Sequence, residues 1–282
     1  MLRRLASVVG AAVLGVAVFA IPSTATAAPS IQVTPSLTAT IELSNCSASL
    51  VRYPTSLDSD RAMMLTNGHC YEGGMPAAGV VLQNKTSRRS GYLLSSTGSR
   101  LGTVRADTLL YATMTNTDVA LYRLSRTYSY IRNNYGVTAL TITNTHPVDG
   151  SSIFIPSGYW KRIWTCSING FVQTLRESQW TWHDSIRYTS TCDTIPGTSG
   201  SPVVDVSSGQ VVGINNTGNE NGQMCTLDNP CEVDPDGTTH AYQGQNYGQQ
   251  VYWFNTCLTA SNTIDLNISG CLLTKPAALA AA

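Results

Sequence analysis

Along this chain short apolar runs alternate with turn-forming residues, and the apolar positions almost never repeat at the 3.6-residue spacing of a helix. Strand-like runs fall at Ala62–Thr66, Gly79–Gln83, Leu109–Ala112 and Val119–Leu124, then at Ser152–Ile155, Phe171–Leu175, Pro202–Val206 and Gln210–Ile214. Their spacing, with Gly, Asn and Ser between them, predicts antiparallel barrels or sandwiches. One helical pattern, Tyr252–Ala260, predicts a short C-terminal helix. Residues 219–250 are Gly-rich and acidic and read as a long surface loop, a kind that is often functional. No internal repeat marks a solenoid or propeller.

The first residues follow a different pattern. Arg3 and Arg4 precede an uncharged apolar run from Val8 to Ile21, Pro22 breaks it, and Ala25-Thr26-Ala27 supplies small residues. This is the layout of a secretory signal peptide, too short in its apolar part to span a bilayer. Cleavage after Ala27 predicts an exported mature protein without a membrane anchor. Residues 28–40, rich in Pro, Ser and Thr, read as a loose arm or a short propeptide.

Composition narrows the class. Only 12% of residues are charged, and Ser, Thr, Asn and Gly are abundant, which favours strands and turns over helices. Removing 1–27 takes away two arginines and no acid, leaving 15 basic and 17 acidic residues, a net charge of −2. Such a balance gives no footprint for nucleic acid or for a membrane surface.

Eight cysteines (Cys46, Cys70, Cys166, Cys192, Cys225, Cys231, Cys257 and Cys271) suit disulfides in an exported chain. Eight allow about 105 pairings, which sequence does not fix; sequential pairing closes the most local loops. The spacings offer no zinc site. Asp228, Glu232, Asp234 and Asp236 cluster near Cys225 and Cys231, and read as a solvated, disulfide-tied loop rather than a calcium site. No metal and no cofactor is expected.

Three segments carry chemistry. Leu65-Thr66-Asn67-Gly68-His69-Cys70 sets a histidine beside a cysteine that can anchor it. Asn116-Thr117-Asp118-Val119-Ala120-Leu121 places an acid at the mouth of an apolar strand. Gly197-Thr198-Ser199-Gly200-Ser201-Pro202 holds a serine between glycines before another apolar strand, where its hydroxyl can stand beside free backbone amides. Nucleophile, base, orienting acid and oxyanion donors are the set that amide hydrolysis needs.

TNGHC, TDVAL and GTSGSP, in that order and separated by 49 and 81 residues, resemble the chymotrypsin-like serine proteases. The spelling is closer to the bacterial V8-type branch of glutamyl endopeptidases, and the resemblance spans roughly residues 41–260. It implies an all-β fold of two six-stranded antiparallel Greek-key β-barrels with the active site in the cleft between them. The N-terminal barrel, 41–140, would carry His69 and Asp118; the C-terminal one, 141–282, would carry Ser199, the long loop and a C-terminal tail. It further implies a secreted serine endopeptidase acting on polypeptides through an acyl-enzyme, expected as a monomer. Ser199 would be the nucleophile, His69 the general base and Asp118 its orienting acid. The amides of Gly197 and Ser199 would form the oxyanion hole, and Cys70 would pair with Cys46. His146, His183 and His240 lack a motif and read as non-catalytic.

The chain departs from the family in places. Thr198 stands where trypsin-like enzymes carry the aspartate that receives a freshly cut N-terminus, so that activation switch is not expected. Asp193 matches the acid at the base of trypsin's specificity pocket, and Thr194 a threonine lining the pocket of the glutamyl branch. On the opposite wall, Asn215 and Asn216 replace a histidine and a tryptophan, and Thr217 replaces a glycine. Asp193, Thr194, Asn215 and Thr217 are therefore the expected substrate-binding residues, with specificity open and leaning toward polar or basic side chains. Two rivals remain. A non-catalytic or latent secreted binding module on the same fold would be marked by loss of His69, Asp118 or Ser199, and all three are present. An esterase of the α/β-hydrolase kind needs G-x-S-x-G, which Ser201 interrupts.

Overall fold

The short apolar runs form strands whose pairing closes two sheets into rings. The computed structural model describes residues 32–277; the segment expected to be a signal peptide and the last residues of the tail lie outside them. The first ring uses β1 (Thr40–Glu42), β2 (Ser47–Arg52), β3 (Arg61–Thr66), β5 (Ser90–Leu94), β6 (Arg100–Thr113) and β7 (Val119–Thr127). β4 (Val81–Thr86) pairs with β6 outside the ring, and the two-residue β8 (Leu140–Thr141) lies parallel to β2. The second ring uses β9 (Ser152–Ser157), β10 (Arg162–Glu177), β11 (Trp180–Tyr188), β12 (Pro202–Asp205), β13 (Val211–Gly218) and β16 (Asn246–Gln250). β14 (Cys231–Val233) and β15 (Thr239–His240) extend from the edge of β10.

Both rings have the same connectivity: three consecutive strands, with the fourth returning beside the first and the sixth beside the third. That return is the Greek-key arrangement, and closure leaves no free edge in either ring. The architecture is the two-barrel, nearly all-β fold expected from the motifs.

Each ring is filled from its own strands. Leu50, Met64, Leu93 and Tyr122 fill the first, and Ile155, Trp164, Ile186 and Val203 the second. A third apolar cluster joins them: Leu65, Tyr111 and Leu121 meet Val211, Ile214 and Phe254. Fully burying one such side chain is worth about 1.5–3 kcal/mol, so this seam holds the barrels in fixed relation. Bridges between Asn116 and Trp182 and between Ile142 and Val211 cross it.

Several expectations need correction. The C-terminal helix is a 3₁₀ helix ending at Cys257, where the disulfide to Cys271 turns the chain back on itself. An eight-residue α-helix, α1 (Tyr128–Tyr135), was not foreseen; the Thr127 hydroxyl accepts from the Tyr130 amide, and Gly136 ends it in the left-handed region at φ 67°. Residues 219–250 are not one loop, since they hold β14, β15 and the barrel strand β16. The arm is not loose over its described part: the Val33 amide donates to Val206 O, and Leu37 and Ala39 are buried.

Candidate active site

The seam between the barrels opens into a cavity of 490 Å³ that is lined by His69, Asp118 and Ser199 together. β3 delivers His69 through a tight turn at Gly68–Cys70, which the Cys46–Cys70 disulfide ties to the start of β2. At Gly68 a side chain would collide with the Thr113 carbonyl and Asp118 Oδ1. Asp118, fully buried just before β7, grips the turn from both sides. Its Oδ1 accepts from the His69 amide at 2.9 Å, and its carbonyl accepts from Asn67 Nδ2 at 2.8 Å. Its Oδ2 lies 2.7 Å from His69 Nδ1. Burial disfavours a charged imidazole, but the Asp118 carboxylate beside it prevails and raises the His69 pKa above its ordinary value, with Glu177 and Asp228 adding to the effect.

Ser199 sits on a turn that only glycines permit. Gly197 and Gly200 have φ of 91° and 83°, and a side chain at Gly200 would collide with Ser47 O and Thr66 Oγ1. The Ser47 amide donates to Ser199 O at 2.8 Å, and the Gly200 amide to Asn215 O at 3.0 Å, pinning the turn to both barrels. The amides of Gly197 and Ser199 donate to no group among the described residues. The Ser199 hydroxyl donates to Asn216 O at 3.2 Å, and no hydrogen bond joins it to His69 among the described residues.

The four expected substrate-binding residues all line the same cavity, in different ways. Asp193 is exposed, its carbonyl accepting from Trp164 Nε1 at 2.8 Å. Thr194 Oγ1 donates to Asn246 Oδ1 at 2.8 Å. Asn215 is buried and its Nδ2 donates to Thr198 Oγ1 at 3.0 Å, so its carboxamide braces the Ser199 turn. Thr198 Oγ1 in turn donates to Ile195 O at 2.6 Å. Thr217 Oγ1 donates to Glu177 Oε2 at 2.7 Å. The eight cysteines form four bonds: Cys46–Cys70, Cys166–Cys192, Cys225–Cys231 and Cys257–Cys271.

Glu177, which sequence reading passed over, and Asn216, which it noted on the pocket wall without assigning it a binding role, also line the cavity. Glu177, at the end of β10, is 4% exposed, and burial pushes its carboxyl up to about 7 against the bonds from Thr217 and the Asp228 amide. Asn216 is 3% exposed, and neither polar atom of its carboxamide has a partner. In sequence Arg176-Glu177-Ser178-Gln179 looks like any polar hairpin tip, so only the packing of β10 reveals the acid. The remaining histidines lie elsewhere: His146 meets Asp184, His240 meets Asp234, and His183 meets Gln173 O.

The family model described as trypsin-like peptidase domain matches residues 51–214, more than half of the chain. No curated protein matches. Among solved structures, the MamO protease domain from Magnetospirillum magneticum is 12% identical, covering 79% of this chain and 94% of its own, with a TM-score of 0.45. Nocardiopsis protease is 15% identical, covering 75% of this chain and 89% of its own, with a TM-score of 0.42. A Mycobacterium tuberculosis protease in an inactive form is 13% identical, covering 77% of this chain and 85% of its own, with a TM-score of 0.44. The sequence match over residues 51–214 decides the assignment: the chain belongs to the family of trypsin-like peptidase domains.

Proposed function

We propose that the protein is a secreted serine endopeptidase in which Ser199, His69 and Asp118 form the catalytic triad. The observation that carries this reading is the 2.7 Å contact of His69 Nδ1 with buried Asp118, in one cavity with a serine whose turn has two amides without a partner among the described residues. In the reaction the Ser199 hydroxyl leaves Asn216 O, and His69 Nε2 takes its proton as Oγ attacks the substrate carbonyl. The Gly197 and Ser199 amides receive the developing oxyanion. His69 then gives the proton to the departing amine, and the acyl-enzyme is hydrolysed when His69 activates water in the same way. Asp118 keeps the proton on Nδ1 and steadies the imidazolium. No cofactor enters any step.

The same reading divides the chain into a signal peptide to Ala27, a short arm to residue 40, and barrels over 41–140 and 141–282. Export is supported by the N-terminal pattern and four disulfides. No helix among the described residues is long and apolar enough to cross a membrane. The motif spelling favours the glutamyl endopeptidase branch, although Asn215 and Asn216 break its pocket signature.

One observation favours a second reading, a latent protein on the same fold: Ser199 is bonded to Asn216 O and not to His69. Incubating a mixed peptide library with wild type and with Ser199→Ala, and reading the cuts by mass spectrometry, separates the two. Cuts made only by the wild type support the peptidase, and no cuts by folded wild type support latency.

A further inference from the structure

The cavity is unequally charged. Glu177, Asp193, Glu220 and Asp228 line it in addition to Asp118, whereas no lysine or arginine does. Three of these acids are exposed, and water can solvate them; Glu177 differs in being 4% exposed. Its carboxylate takes only two neutral donors, Thr217 Oγ1 and the Asp228 amide, and forms no ion pair with any described residue. A carboxylate has room for about four donors, and a buried one without a cation is costly to keep.

A second observation points the same way. Asn216, adjacent to Thr217 on β13, is 97% buried against the cavity with both carboxamide atoms unpartnered. Leu227 and Met75 add apolar side chains to the lining of the same cavity: Leu227 precedes Asp228, whose amide donates to Glu177, and Met75 precedes Pro76, whose carbonyl accepts from Trp180 Nε1 of the β10–β11 hairpin. Leu227 is 48% exposed and Met75 50%. Apolar sides ending in an unpaired acid match a long side chain with an aliphatic stem and a cationic head.

Building on the peptidase reading, we propose that Glu177 is a specificity-determining residue, receiving with Asp228 the cationic head of a substrate lysine or arginine whose stem lies against Leu227 and Met75. This acid is distinct from Asp193, the residue that the sequence pattern singled out, which stands exposed on a different segment. Glu177 and Asp228 line the same cavity as His69 and Ser199, which sets the site beside the proposed reacting groups.

The test uses peptide pairs differing only by lysine or norleucine at one position, scanned across the residues around the cut. The lysine-to-norleucine ratio of kcat/KM should exceed about tenfold at one position, and Glu177→Gln should lower that ratio by roughly 10- to 100-fold. Asp228→Asn, a change at an exposed residue, should lower it about two- to fivefold without disturbing a buried group. Asp193→Asn should leave the ratio in place. The proposal is overturned if Glu177→Gln and Asp228→Asn both spare the ratio, or if Asp193→Asn alone abolishes it. It is also overturned if Glu177→Gln slows both peptides equally while moving the acid limb of the pH profile, since Glu177 would then act through His69. Calorimetric Kd values of the same peptides on Ser199→Ala protein give the ratio without turnover. Lysine preference there with no cleavage by wild type would remove the peptidase reading alone, and cleavage without lysine preference would remove this inference alone.

Discussion

Asp118 accepts hydrogen bonds from both ends of His69, through Oδ1 from the backbone amide and through Oδ2 against Nδ1. One buried carboxylate thus fixes where the histidine backbone lies and which way its ring faces. Asp118→Asn should keep the amide bond but present an N–H to Nδ1, forcing the wrong tautomer. A fall of about 10⁴ in kcat is expected, with circular dichroism unchanged. A loss under tenfold, measured on peptide substrates, would mean that Asp118 does not orient a base.

In the proposed triad, the raised pKa of His69 would set the acid limb of activity. The base works only when neutral, so kcat/KM should rise with pH through a midpoint above the usual histidine value of about 6.5. A full pH profile on a neutral peptide checks this. A midpoint below 6 would show that burial, not the Asp118 charge, controls the ring.

Glu177 predicts an unusual stability profile. Its folded pKa of about 7 lies above the ordinary 4.5, so between these values the folded state holds a proton that the unfolded state has released. Its contribution to stability is therefore fully present below pH 4.5 and is lost as pH rises through 7. Asp228 and His69 are the charged groups that act on it, and neither supplies a bonded cation. Wild type should lose on the order of 3 kcal/mol relative to Glu177→Gln across that window. Urea titrations of both proteins from pH 4 to 8 measure the difference, and parallel curves would contradict it.

Thr198 bears on activation. Its hydroxyl donates to Ile195 O and accepts from Asn215 Nδ2, so the turn before Ser199 is braced without a charged partner. Protein prepared to begin at Ala28 and forms extended or acetylated at that end should share the same kcat/KM within about twofold. A loss of 100-fold on acetylation would reveal an N-terminal ammonium acting as a switch.

The Cys46–Cys70 bond closes a loop with a sequence separation of 24 at the base of the His69 turn. Replacing both cysteines by alanine should cost about 3 kcal/mol, with a larger fractional loss of activity than the Cys257–Cys271 pair causes. Equal losses from the two pairs would show that the first bond only stabilises the fold.

Much of this architecture was legible because its signals are local. The His69, Asp118 and Ser199 motifs each combine a side chain of the proposed triad with the turn or strand that holds it, and apolar runs between turn residues marked β3, β7 and β12. What escaped depends on packing. β16 reads Asn-Tyr-Gly-Gln-Gln, too polar to suggest a strand, yet all five residues are buried because β11 and β13 flank it. α1 is only eight residues long, too short to show a period, and only its Thr127 and Gly136 caps betray it. Glu177 belongs to the cavity because β10, 16 residues long, ends at its wall.

The most direct test of the central claim is the reaction of folded protein with a fluorophosphonate, followed by peptide mapping. The account predicts one adduct, on Ser199 Oγ, formed far more slowly in His69→Ala and absent in Ser199→Ala. Folded wild type that stays unmodified at Ser199 would contradict the triad.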